Sequence, residues 1–155
     1  MENVLLQYVN DKVDDVDGQF GFKAGHSTTL CTLSFKHTVQ YYTGRVCFAD
    51  FSKAFDRVNY WKLFRQLLDK GVSVYIVSLL AYWYSNQHVH VRWRGVLSSS
   101  FTVGNGTKQE GVLSPCLFNC YVRDLIIAFM TTKIGCNILV DYLLIFSHTQ
   151  MIWYC

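Results

Sequence analysis

Arg45-Val46-Cys47-Phe48-Ala49-Asp50-Phe51-Ser52-Lys53-Ala54-Phe55-Asp56-Arg57-Val58-Asn59 is the stretch on which the fold turns. Its first part, 45–51, is rich in β-branched and aromatic residues and reads as a short strand. Asn59 at its end can cap a helix that carries Leu63, Leu67 and Leu68 on one side and stops at Gly71. Asp50 stands near the end of the strand among apolar neighbours, where a carboxylate is costly unless something pairs with it. Two partners fit: a divalent metal ion, or the backbone of a turn that the aspartate caps.

Toward the N-terminus, Ser27-Thr28-Thr29 after Gly25 can cap a helix through Leu30, Leu33 and Phe35 toward Tyr41, broken by Gly44. The acidic cluster over 11–17 reads as a solvated connection. Toward the C-terminus an apolar helix is expected over 74–84. The run 88–94 then alternates, which puts His88, His90, Arg92 and Arg94 on one strand face and Val89, Val91 and Trp93 on the other. With a turn over 95–99 and a returning strand over 101–103, this makes a hairpin with a basic face. That face suits a nucleic-acid backbone, and it equally suits the solvated side of an edge strand.

Ser114-Pro115 is an N-cap followed by a first-turn proline, opening a helix through Phe118 and Tyr121 toward Phe129. Lys108 and Gln109 precede it, where a cation and an amide either meet a phosphate or base or form an ordinary polar loop. Two apolar runs, 138–140 and 143–146, flank Asp141-Tyr142 and read as a tight hairpin. Asp141 is the natural second metal ligand if its strand lies beside that of Asp50. Strands and helices mix without a βαβα rhythm, so the class is α+β.

Composition sets the bounds. A chain of 155 residues, 51% hydrophobic and 16% aromatic, fits one domain with an ordinary core. Charged residues reach only 16%, so some apolar surface is expected to meet a further part of the same protein or a partner. A net charge of +3 is too small to argue for nucleic acid unaided. The six cysteines form no CxxC pair, which argues against a zinc ribbon or a secreted disulfide scaffold and for reduced core thiols. Met1-Glu2-Asn3 lacks a basic leader pattern and the apolar run 72–84 is too short to span a bilayer. An intracellular protein of nucleus or cytoplasm, away from membranes, is expected.

Four strings in register resemble the reverse transcriptase domain of non-LTR (LINE-type) retrotransposons, over nearly the whole chain from about Tyr8. Gln19-Phe20-Gly21-Phe22-Lys23-Ala24-Gly25-His26-Ser27-Thr28-Thr29 is similar to the fingers signature, and 48–58 to the first palm motif. Trp83-Tyr84-Ser85-Asn86-Gln87 with Val91-Arg92-Trp93 and Gly95 resembles the connecting block. Lys108-Gln109 with Gly111-Val112-Leu113-Ser114-Pro115 and Leu117-Phe118-Asn119 resembles the second palm motif.

The resemblance implies a right-hand polymerase fragment without a thumb: one partial domain, fingers over about 1–45 and palm over about 46–155, with an antiparallel sheet packed on helices. It implies RNA-directed DNA polymerisation on an RNA template and DNA primer with deoxynucleoside triphosphates. Asp50 and Asp141 would hold two Mg²⁺ (or Mn²⁺) ions that activate the primer 3′-hydroxyl and stabilise pyrophosphate. Phe55 would exclude a ribose 2′-hydroxyl, Gln109 and Lys108 would meet the nucleotide, and Lys23, Arg92 and Arg94 would face nucleic acid. A thumb and an endonuclease would belong to a longer polyprotein.

Three departures from the family pattern point to impaired activity. Leu139-Val140-Asp141-Tyr142 stands where the family has aromatic-x-Asp-Asp, so tyrosine replaces the second carboxylate. Gln109-Glu110-Gly111 stands where the family has Gln-Gly-Gly, which sets an anion near the nucleotide phosphates. The segment between Cys136 and Leu139 is short of the family pattern. The alternative is a non-catalytic retrotransposon remnant that at most binds nucleic acid. A two-metal nuclease fits the contexts of Phe55 and Gln109 less well.

Overall fold

The computed structural model describes residues 2–13, 25, 27–41, 46–50, 52–108, 111–131, 137–138, 141–142, 144–147 and 150–154. Among them five helices alternate with short antiparallel strands, an α+β arrangement. The helices are α1 (Glu2–Asn10), α2 (Thr28–Tyr41), α3 (Tyr60–Asp69), α4 (Val74–Ser85) and α5 (Ser114–Thr131). The strands are β1 (Val46–Asp50), β2 (His88–Val89), β3 (Arg92–Trp93), β4 (Val96–Leu97), β5 (Phe101–Thr102), β6 (Asn137–Ile138), β7 (Asp141–Tyr142), β8 (Leu144–Ser147) and β9 (Gln150–Tyr154). None of the described helices is long and apolar enough to cross a membrane.

Local chemistry explains the helix ends. Ser27 Oγ accepts from the Leu30 N–H at 3.2 Å and opens α2. Asn59 Oδ1 accepts from the Lys62 N–H at 3.0 Å and opens α3. At the far end of α3, Gly71 takes φ 78°, which costs a glycine nothing. Its N–H donates to the Leu68 carbonyl and that of Val72 to the Leu67 carbonyl, a Schellman closure.

The chain divides into two compact units: residues 1–13 with 55–121, and residues 14–54 with 122–155. In the first unit, α3 buries Tyr60, Leu63, Phe64 and Leu67, a helical i, i+3, i+4, i+7 stripe. It faces Val77, Leu80 and Tyr84 of α4, with the Tyr60 and Tyr84 rings edge to face at 5.1 Å. Leu113, Leu117 and Phe118 at the start of α5 complete this core. Each fully buried leucine contributes about 1.5–3 kcal/mol.

The second unit holds α2 and a three-stranded sheet in the order β1-β9-β8, antiparallel throughout, with β8 against α2. Register runs from Val46 opposite Tyr154 to Asp50 opposite Gln150. A separate two-stranded ladder pairs β6 with β7, Ile138 opposite Asp141.

Three expectations need correction. Asp141-Tyr142 are not the turn of the last hairpin but form strand β7, paired with β6. The basic run 88–94 is not one strand: β2 pairs with β5, while β3 and β4 form their own hairpin. Its two-residue turn is Arg94-Gly95, both left-handed at φ 47° and 85°, as the primed hairpin turns require, so Arg94 leaves the strand face. Finally, Ser114 does not use its hydroxyl as an N-cap. That hydroxyl donates to the Lys108 carbonyl, and the helix already begins at Ser114.

Candidate nucleotide and nucleic-acid site

The part of the first unit that carries most of the chemistry is a loop laid against a turn. Residues 104–108 dock on the turn that starts at Phe55: the Gly106 N–H donates to the Val58 carbonyl and the Thr107 N–H to the Phe55 carbonyl, both at 2.9 Å. Gly106 has φ 94°, and a β-carbon built on it would stand 2.8 Å from the Asp56 Cα and 2.9 Å from the Asp56 carbonyl oxygen. Only glycine lets two backbones approach this closely. The turn of the first palm-like string and the loop of the second are thereby fastened to each other.

Lys108 is held at both ends. Its carbonyl accepts from the Ser114 hydroxyl and from the Gly111 N–H, the latter at 3.1 Å. Its ammonium lies 3.9 Å from the centre of the Trp83 ring, a cation–π contact worth about 0.5–2 kcal/mol. Gly111 has to be small, since a β-carbon there would stand 2.8 Å from Ser114 Oγ. Ser114 also hydrogen-bonds the Tyr84 hydroxyl, and burial pushes the Tyr84 phenol up to about 12. Glu2 of α1 closes the loop from outside, accepting the Val112 N–H at 2.8 Å.

Phe55 is half-buried with its ring against Phe118, centroids 4.8 Å apart. Phe55 and Lys108 therefore belong to one stitched assembly on α5. Lys23, Gln109 and Glu110 lie outside the described residues. Arg92 and Arg94 are exposed on the β3–β4 hairpin, Arg92 in the strand and Arg94 in its turn. Trp83, Ser114 and Gly106 were missed as parts of this assembly. Asn105-Gly106 carries a loop signal, but nothing local marks a tryptophan 25 residues before the lysine it contacts.

Asp50 lies at the end of β1 and faces Gln150 of β9 in register, while Asp141 lies in β7, in a different sheet. Among the described strands, the hydrogen-bonded neighbour of β1 is β9 rather than β7. Tyr142, a neutral phenol, follows Asp141 in the same strand. A centre for two divalent ions needs convergent carboxylates.

The amino-acid pattern of residues 1–152 matches that of the Reverse transcriptase (RNA-dependent DNA polymerase) family, and the chain therefore belongs to the reverse transcriptases.

Proposed function

We propose that the chain is the fingers and palm portion, about 1–45 and about 46–155, of a non-LTR (LINE-type) reverse transcriptase whose polymerase centre is impaired. Reverse transcriptases act on a nucleic-acid template and nucleotides and in general use divalent metal ions. In the intact lineage two Mg²⁺ or Mn²⁺ ions activate the primer hydroxyl and neutralise the departing pyrophosphate. Here Asp50 and Asp141 are the residues assigned to that task, and Lys108, Phe55 and Gln109 those assigned to the nucleotide. Lys23, Arg92 and Arg94 are assigned to the template and primer. The lineage, and a longer polyprotein carrying thumb and endonuclease, rest on the fingers-like string 19–29 and the palm-like strings.

One observation carries the impairment: the residue opposite Asp50 across the sheet is Gln150, a neutral amide, while Asp141 stands in another ladder beside Tyr142. The hydrogen bond from Thr107 to Phe55 beside Lys108 supports keeping both residues on the nucleotide side of the reading. The purified chain is expected not to extend a DNA primer on an RNA template with Mg²⁺ or Mn²⁺. Incorporation of deoxynucleotides that disappears in Asp50→Ala would overturn the reading. The same order of strands favours the second reading, a non-catalytic remnant that binds nucleic acid, and retained RNA binding without extension would distinguish it from a chain with neither property.

A further inference from the structure

We infer that Trp93, at the tip of the β3–β4 hairpin, is a stacking platform for an unpaired nucleobase, so that this arm takes single-stranded nucleic acid in preference to duplex. The inference rests on the nucleic-acid role proposed for Arg92 and Arg94, and adds the residue that would read strand state.

Alternation along 88–94 puts Val91 and Trp93 on the face opposite the arginines, and that face is exposed among the described residues. Trp93 is 72% exposed, with Val96 directly opposite at 72% and Val91 on the same face at 56%. An indole left in water this fully, with an exposed valine opposite and another beside it, is an apolar surface open to a partner. The hairpin beneath it is well tied. The Ser98 N–H donates to the Val91 carbonyl at 2.9 Å, the Val91 N–H to Ser98 Oγ at 3.0 Å, and His90 Nδ1 to the Ser98 carbonyl at 2.9 Å.

Charge then decides what the partner is. From Lys70 to Gln109 the sequence contains no aspartate or glutamate, while Lys70, Arg92, Arg94 and Lys108 lie within it. The left-handed turn brings the Arg94 guanidinium to 6.0 Å from the Trp93 ring centre, so a cation stands beside the flat apolar surface rather than along the strand. Phosphate charge answers the arginines, and a base with a free π-face answers the indole. A duplex offers the phosphates but keeps its base faces stacked on one another. Only an unpaired strand satisfies both groups.

The test measures binding of the full chain to a labelled RNA of roughly a dozen nucleotides, single-stranded or annealed to its complement, by fluorescence anisotropy. Trp93→Ala should weaken single-strand binding roughly five- to hundredfold and leave duplex binding little changed. Trp93→Phe should restore most of the loss, and Trp61→Ala, removing another exposed indole on α3, should change neither. The Arg92→Ala/Arg94→Ala pair should weaken both forms and flatten the salt dependence of binding. Trp93→Ala indistinguishable from the parent chain, or equal losses on both forms, overturns the stacking inference. If the arginine pair still matters in that case, the nucleic-acid role of the arm survives. If it does not, that role falls as well. Equal competition by an unstructured polyglutamate overturns the inference in favour of an acidic protein partner.

Discussion

Replacing Gly106 with alanine should loosen the junction between the palm-like strings more than any other single methyl group in the first unit. The residue sits at φ 94°, where an L-residue with a β-carbon costs about 1–2 kcal/mol. The added carbon would meet the Asp56 Cα at 2.8 Å and two carbonyl oxygens at 2.9 and 3.0 Å, and these are backbone atoms that cannot rotate aside. To make room the loop must lift, which gives up the hydrogen bonds from Gly106 to Val58 and from Thr107 to Phe55. At about 0.5–1.5 kcal/mol each, their loss brings the expected destabilisation to about 2–5 kcal/mol. Gly104 is the internal control: a β-carbon there meets nothing within 4 Å, so Gly104→Ala should stay within about 0.5 kcal/mol of the parent. Urea unfolding followed by circular dichroism reads the difference directly. With a slope of about 1–3 kcal/mol/M, the midpoint of Gly106→Ala should fall by roughly 1–2 M relative to Gly104→Ala. Equal midpoints for the two variants would refute the close approach of the loop to the Phe55 turn.

Asn59→Ala should cost about 1 kcal/mol by leaving the Lys62 N–H without its cap, and Asn59→Asp should keep most of the stability, both read as shifts in thermal midpoint. Tyr84 predicts an alkaline transition. Its folded pKa of about 12 lies above the ordinary phenol value near 10, so its contribution to stability is complete below about pH 10 and is lost as pH rises toward 12. A near-ultraviolet titration should show a late-ionising phenol that is missing from Tyr84→Phe. Burial also pushes the Cys31 thiol up, and Cys31 should therefore react with a thiol reagent far more slowly in the folded chain than in urea.

The helices of this protein were legible because their signals are local. Ser27 and Asn59 cap within three residues of themselves, Gly71 ends α3 through its own φ, and the apolar stripe of α3 follows the helical period. The sheet was not legible in the same way. Residues 150–154 form the central strand of the β1-β9-β8 sheet, but four apolar residues after Gln150 say nothing about which distant strand they will pair with. The alternation of 88–94 hid a turn, because arginine at a left-handed position leaves no mark that a period-two pattern can detect. Ser114 stood in the place of a cap and was spent on a carbonyl six residues back, since the tight Lys108–Gly111 turn brings that oxygen within reach of its hydroxyl. Asp50 stands at a strand end as its apolar neighbours indicate, whereas Asp141, chosen for its similar apolar frame, stands on another ladder, because strand pairing is not written in the local pattern.

The pairing of β1 with β9 also governs how the second unit can be made. Val46 meets Tyr154 and Asp50 meets Gln150, contacts that join residues about a hundred positions apart. During synthesis at about 5–20 residues per second, β1 therefore waits roughly 5–20 seconds for the strand that completes its hydrogen bonds. Throughout that interval Val46-Cys47-Phe48-Ala49 is an apolar, uncharged segment with a free backbone edge, open to pairing with another nascent chain. High contact order of this kind slows folding as well as delaying it. The strand bearing Asp50 is thus the segment most exposed to misassembly on the ribosome, and the yield of folded protein should depend on chaperone capacity more than on the stability the finished sheet attains.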